Sequence, residues 1–120
     1  MSTPAEIRLW FLGGVRKQVY DYGVKLSKTP AELIDIGSLK AVLAELARDI
    51  RNKPKGAFDN LAGYPPEYSG LLKLAPQYLE VQLNSWQLAA YKEAKENLQH
   101  CLNALDRMIM LEQQKQRQAA

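Results

Sequence analysis

The chain has 120 residues, 47% hydrophobic and 24% charged, with sixteen Lys and Arg against thirteen Asp and Glu. That is enough for one core and one domain, 1–120, but hardly for two. No apolar run approaches the ~18 residues of a membrane span, and the single cysteine, Cys101, excludes an internal disulfide framework.

All of the net charge of +3 falls in the first half, where residues 1–60 carry ten cations and seven carboxylates, whereas 61–120 carry six of each. A basic face, if present, is therefore expected there. The first residues lack the basic start, apolar run and small-residue cleavage site of a secretory leader, so a cytoplasmic setting is expected.

Thr3-Pro4-Ala5-Glu6 predicts a helix start, with Thr3 as N-cap, Pro4 in the first turn and Glu6 closing a capping box. From Pro4 to Ser27, Ile7, Phe11, Val15, Val19, Tyr22 and Leu26 recur at three- and four-residue steps and define a core face, with Arg8, Lys17, Lys25 and Lys28 largely elsewhere. Gly13-Gly14 costs such a helix roughly 1 kcal/mol per Gly relative to Ala, which close packing against a neighbouring helix could return. The pair matches no phosphate-binding glycine fingerprint.

Thr29-Pro30-Ala31-Glu32 repeats the capping pattern, but Leu33-Ile34-Asp35-Ile36 does not continue the match with Ile7-Arg8-Leu9-Trp10, so no duplicated unit is read. A short helical prelude is expected from Pro30 to Asp35, then a break at Gly37 and a second helix capped by Ser38. Its core face is Leu39, Val42, Leu43, Leu46 and Ile50, while Lys40, Arg48, Arg51 and, past the helix, Lys55 gather on the other side. Pro54 ends it. Cations at a helix C-terminus also complement the helix dipole, so Arg48, Arg51 and Lys53 have that bland explanation beside phosphate contact.

Residues 54–66 read as a packed connection pinned by Phe58, Leu61 and Tyr64, and Glu67–Ala75 as a short helix burying Leu71, Leu72 and Leu74. Pro76 is expected to open a helix of roughly 40 residues, about 60 Å long, reaching about Gln116. Its stripe is Leu83, Trp86, Ala90, Ala94, Leu98, Cys101, Leu105, Met108 and Leu111, widened by Leu79, Leu88, Tyr91, Leu102 and Ile109. Asn84 and Ser85 are its softest interior residues. The fold class is all-α: a small bundle of two shorter N-terminal helices packed on one long C-terminal helix. Residues 1–3 and 113–120 are expected to fray.

No catalytic constellation stands out. His100 and Cys101 are adjacent in sequence, so on a helix they point about 100° apart, and no further His or Cys completes a metal site. The reading is of a non-enzyme without cofactor or metal. Pro65-Pro66-Glu67-Tyr68 has the form of a WW-domain ligand but fits a helix-start turn with a packed tyrosine better. Trp10 and Phe58 read as core more readily than as base-stacking platforms.

A short, basic, all-helical chain with Phe11-Leu12-Gly13-Gly14 in its first amphipathic helix, a second basic helix and a long last helix resembles the small subunit of Cascade-type CRISPR surveillance complexes. The resemblance covers residues 5–110 by helix pattern. It implies no catalysis, copies stacked against one another and against backbone subunits, and basic faces that guide nucleic-acid strands in antiviral defence.

The expected function is thus a non-catalytic subunit of a nucleoprotein assembly that holds nucleic-acid backbone without reading sequence. Arg8, Arg16, Lys17, Lys40, Arg48, Arg51, Lys53 and Lys55 are its candidate contacts. The rival expectation is a helical adaptor that binds protein partners only. No membrane contact is expected.

Overall fold

The computed structural model describes residues 2–119, and among them the chain is entirely helix, turn and loop. In order come α1 (Pro4–Ser27), a 3₁₀ turn (Ala31–Leu33), α2 (Ile36–Arg51), α3 (Pro66–Gln77) and α4 (Gln87–Ala119). Met1 and Ala120, the extreme ends of the segments expected to fray, lie outside the described residues. No helix among the described residues is long and apolar enough to cross a membrane.

α4 is the spine. Its 33 residues make about 50 Å of helix, the full 51 Å length of the molecule. α1 runs antiparallel to it, as three pairings show: Arg8 with Glu112, Arg16 with Asp106, and the Tyr91 hydroxyl with the Leu26 carbonyl. α3 also lies against α4, with Glu67 bonded to Arg107 and the Tyr78 ring against His100. α2 packs chiefly on α3 and α1 and touches the spine least.

The periodic stripe of α4 forms the centre of the core: Ala90, Ala94, Leu98, Cys101, Leu105, Met108 and Leu111 are all buried. Val15, Val19 and Leu26 of α1 and Leu39, Leu43, Leu46 and Ile50 of α2 face them. Ile7, Phe11 and Tyr22 pack half-buried at the edge. The predicted Thr3 capping box is formed, the Thr3 hydroxyl accepting from the Glu6 amide at 3.2 Å.

Several local expectations are corrected. The long helix does not begin at Pro76. That residue sits in the last turn of α3, where its missing N–H and its ring disturb only the final turn. The chain then reverses through residues 78–86 so that α3 and α4 can lie antiparallel, with Leu79 and Leu83 buried to anchor the crossing. Asn84 Oδ1 accepts from the Trp86 amide at 2.8 Å, so the softest residues of the expected helix are where the chain turns. Trp86, placed in the stripe by periodicity, is 66% exposed because it precedes the helix.

The second helix has no break at Gly37. Asp35 is the N-cap, its carboxylate accepting from the Gly37 amide at 3.3 Å and the Ser38 hydroxyl at 2.7 Å. Those two bonds, Ser38 first, lower the Asp35 pKa. A full negative charge at a helix N-terminus also suits the dipole better than a neutral serine.

Gly13 and Gly14 do not pack closely on anything, since a Cβ built at either meets no atom within 4 Å. Finally, Trp10, expected in the core, is 78% exposed on the outer face of α1, and Leu74 of α3 is also exposed.

The 54–65 connection is packed, as expected. Ala57 and Phe58 are buried, and the Phe58 ring meets Phe11 edge-on at 5.9 Å. Gly56 and Gly63 give it two left-handed positions, φ 84° and 87°, that β-carbon-bearing residues rarely adopt. A Cβ at Gly63 would also strike Lys115 Nζ at 2.7 Å.

Candidate nucleic-acid interface

Whether a cation can hold phosphate depends first on whether a carboxylate already holds the cation. Four of the eight expected contacts are held. Arg8 is corrected from surface to core: it is 4% exposed, its Nε bonded to Glu112, its Nη1 donating to the Ala57 carbonyl at 2.8 Å and its Nη2 to the Tyr64 hydroxyl at 2.7 Å. Burial alone would lower its pKa, but the Glu112 hydrogen bond and charge outweigh that and raise it.

Glu112, fully buried, also accepts from the Tyr68 hydroxyl at 2.7 Å and the Tyr64 hydroxyl at 2.8 Å. Burial, then the bond to Glu112, pushes the Tyr68 hydroxyl well above its ordinary pKa. This network clamps the start of α1, the connection, α3 and the far end of α4 into one block. Tyr68 is therefore a packed tyrosine, with no exposed surface to offer a WW groove.

The other held cations lie at the surface. Arg16 Nε meets Asp106 at 2.5 Å, which raises its pKa through the hydrogen bond and the charge. Lys17 pairs with Asp21 one turn on at 3.1 Å. Arg51 grips Glu80 with two bonds, 2.7 and 2.5 Å, which lower the Glu80 pKa. Such exposed pairs add little to stability, but they neutralise the cation locally.

Lys40, Arg48, Lys53 and Lys55 remain exposed, and among the described residues none has an ion-pair partner within 4 Å. Lys40 and Arg48 are eight residues apart, so they share one face of α2 about 12 Å apart along its axis. Lys53 and Lys55 come next, in the loop beyond the helix. Residues 36–55 hold five cations against two carboxylates, Glu45 and Asp49.

Folding adds a cation that sequence reasoning missed. Lys73 of α3 lines the same cleft as Arg51 and Lys53, together with Ser69 one turn earlier on α3. It was invisible because α3 reads as a short, apolar helix, and its approach to the end of α2 depends on the connection folding back.

Cys101 and His100 diverge as expected. Cys101 is buried, and burial pushes its thiol up to about 12. His100 is exposed, with its ring 5.5 Å from that of Tyr78. No cluster of three or more His, Cys, Asp or Glu side chains among the described residues is placed to hold a metal ion.

Comparison of the chain with protein-family models, with curated proteins and with solved structures returned no match.

Proposed function

We propose that this protein is a non-catalytic helical subunit of a nucleoprotein assembly, holding nucleic-acid backbone along α2 and the loop beyond it. The observation that carries the reading is the run of four exposed cations, Lys40, Arg48, Lys53 and Lys55, with no ion-pair partner among the described residues. The all-helical outline suits the small-subunit role in CRISPR surveillance complexes that it resembles, in which neighbouring protein subunits would cover part of the surface.

Four phosphate contacts set a quantitative expectation. At a slope near −0.7 per contact for single strands and −0.9 for duplex, raising salt from 50 to 200 mM weakens binding by about 50-fold and 150-fold respectively. Fluorescence anisotropy with labelled single-stranded and duplex oligonucleotides measures this directly. Replacing all four cations with Ala should abolish most of the affinity and flatten the slope, irrespective of base sequence. Salt-independent or absent binding by the wild-type chain at 50 mM salt would remove the reading.

One observation favours the adaptor reading instead: Trp10, Leu33 and Trp86 are 78, 72 and 66% exposed, and large exposed apolar side chains are what a protein partner covers. A partner retained after nuclease treatment and lost with Trp10→Ala would support it.

A further inference from the structure

The C-terminal end of α2, the connection and α3 enclose a cleft of about 230 Å³. Its exposed lining is cationic and polar: Arg51, Lys53, Ser69 and Lys73. Beneath them Leu61 and Leu72 are half-buried and supply an apolar floor. The volume falls below the roughly 300 Å³ at which pockets for drug-sized ligands begin, so it suits one small flat group and not an extended cofactor.

We infer that this cleft seats one unpaired nucleotide of a single strand, its phosphate between Lys53 and Lys73 and the face of its base against the Leu61–Leu72 floor. The inference rests on the backbone-binding reading above and adds to it a preference for strands whose bases are free.

Three features support that class of ligand. Lys53 and Lys73 have no ion-pair partner among the described residues, so both ammonium groups keep their donors for phosphate oxygens. Ser69 and Lys73 are four residues apart on α3 and present a hydroxyl and an ammonium on one side. Arg51 adds little net charge, because Glu80 holds it with two hydrogen bonds. The apolar floor has no use for a duplex, whose bases are stacked and paired. A duplex can reach the rim along Lys40, Arg48 and Lys55 but has no base to place in the cleft.

The test is anisotropy with a labelled twelve-residue oligothymidine and a labelled blunt duplex, comparing wild type, Lys73→Ala, Glu80→Gln and a rim variant, Lys40→Ala with Arg48→Ala. Lys73→Ala should weaken the oligothymidine about tenfold, the value of one charged hydrogen bond, and leave the duplex within about twofold. Its salt slope on the single strand should fall by about 0.7. Glu80→Gln, which frees Arg51 at the cleft, should strengthen the oligothymidine several-fold and the duplex little. The rim variant should weaken both.

Equal losses on strand and duplex from Lys73→Ala would make Lys73 one more rim cation and overturn the cleft. No loss on either, with the rim variant still impaired, would overturn the cleft and leave the proposed function standing. Failure of the wild type to bind either probe would remove both. Thymidine monophosphate binding by itself as tightly as the oligomer, with the same dependence on Lys73, would assign the cleft to a free nucleotide and overturn the strand.

Discussion

Glu112→Gln isolates the role of the buried ion pair. The substitution keeps the shape of the side chain and replaces one carboxylate oxygen by an amide nitrogen. With the remaining oxygen toward Arg8 and Tyr68, the new NH₂ faces the Tyr64 hydroxyl, which already accepts from Arg8 Nη2. Only one hydrogen bond need reverse its polarity, so the dominant loss is electrostatic. Arg8 stays 4% exposed without a counter-charge.

Leaving one partner of a buried pair uncompensated costs about 3–5 kcal/mol. A domain of this length has an unfolding entropy near 0.25 kcal/mol/K, so the melting temperature should fall by about 12–20 °C. That is a large share of the ~6–18 kcal/mol expected for the whole fold. Calorimetry on wild type and Glu112→Gln measures this loss, and Arg8→Leu, Glu112→Leu and their double variant complete a cycle.

The double variant removes both charges but orphans the buried Tyr68 hydroxyl and the Ala57 carbonyl, at about 1–3 kcal/mol each, while the half-buried Tyr64 hydroxyl loses both partners and turns to water. It should be no less stable than either single variant, which requires a coupling at least as large as the single-variant cost of about 3–5 kcal/mol. A Glu112→Gln protein melting within about 4 °C of wild type would refute the reasoning, since the pair would then be open to water.

Asp35→Ala should lower the melting temperature by about 4 °C, whereas Ser38→Ala should change it less, because Asp35 and not Ser38 caps α2; the reverse order would restore the expected cap. Gly13→Ala and Gly14→Ala should each stabilise by about 0.5–1 kcal/mol in chemical unfolding, as both sites are helical with open space around the Cβ. Destabilisation at either would reveal a close contact there. With its thiol pushed up to about 12, only about one Cys101 in ten thousand is thiolate at pH 8. Reaction with dithionitrobenzoate should therefore be negligible in the native protein and become fast only above the urea midpoint; rapid native labelling would contradict the burial.

Much of the helical organisation was legible because it rests on local spacing. The three- and four-residue steps of α1, α2 and α4 are consequences of 3.6 residues per turn, and the buried residues of α4 are nearly those that the spacing marks. The Thr3 capping box needs only four consecutive residues. Phe58 could be recognised as an anchor because an aromatic in a turn-rich connection needs somewhere to go. Where spacing misled, a neighbour decided the outcome. Trp86 shares the period of the α4 stripe yet lies before the helix, since the reversal after α3 moved the start to Gln87. Glu112 ends the apolar period but not the burial, because Arg8, Tyr64 and Tyr68 surround it with polar partners.

The sequence by itself determined an all-helical chain with a long last helix, a half that carries the whole net charge, and the amphipathic faces that must meet. Tertiary structure alone decided which cations are free. Arg8, Arg16 and Arg51 are neutralised by carboxylates 104, 90 and 29 residues away, and Lys73 joins Lys53 only because α3 folds against the end of α2. Periodicity is written within a few turns of one helix. Ion pairing depends on the register between helices, which emerges only when their faces are packed together.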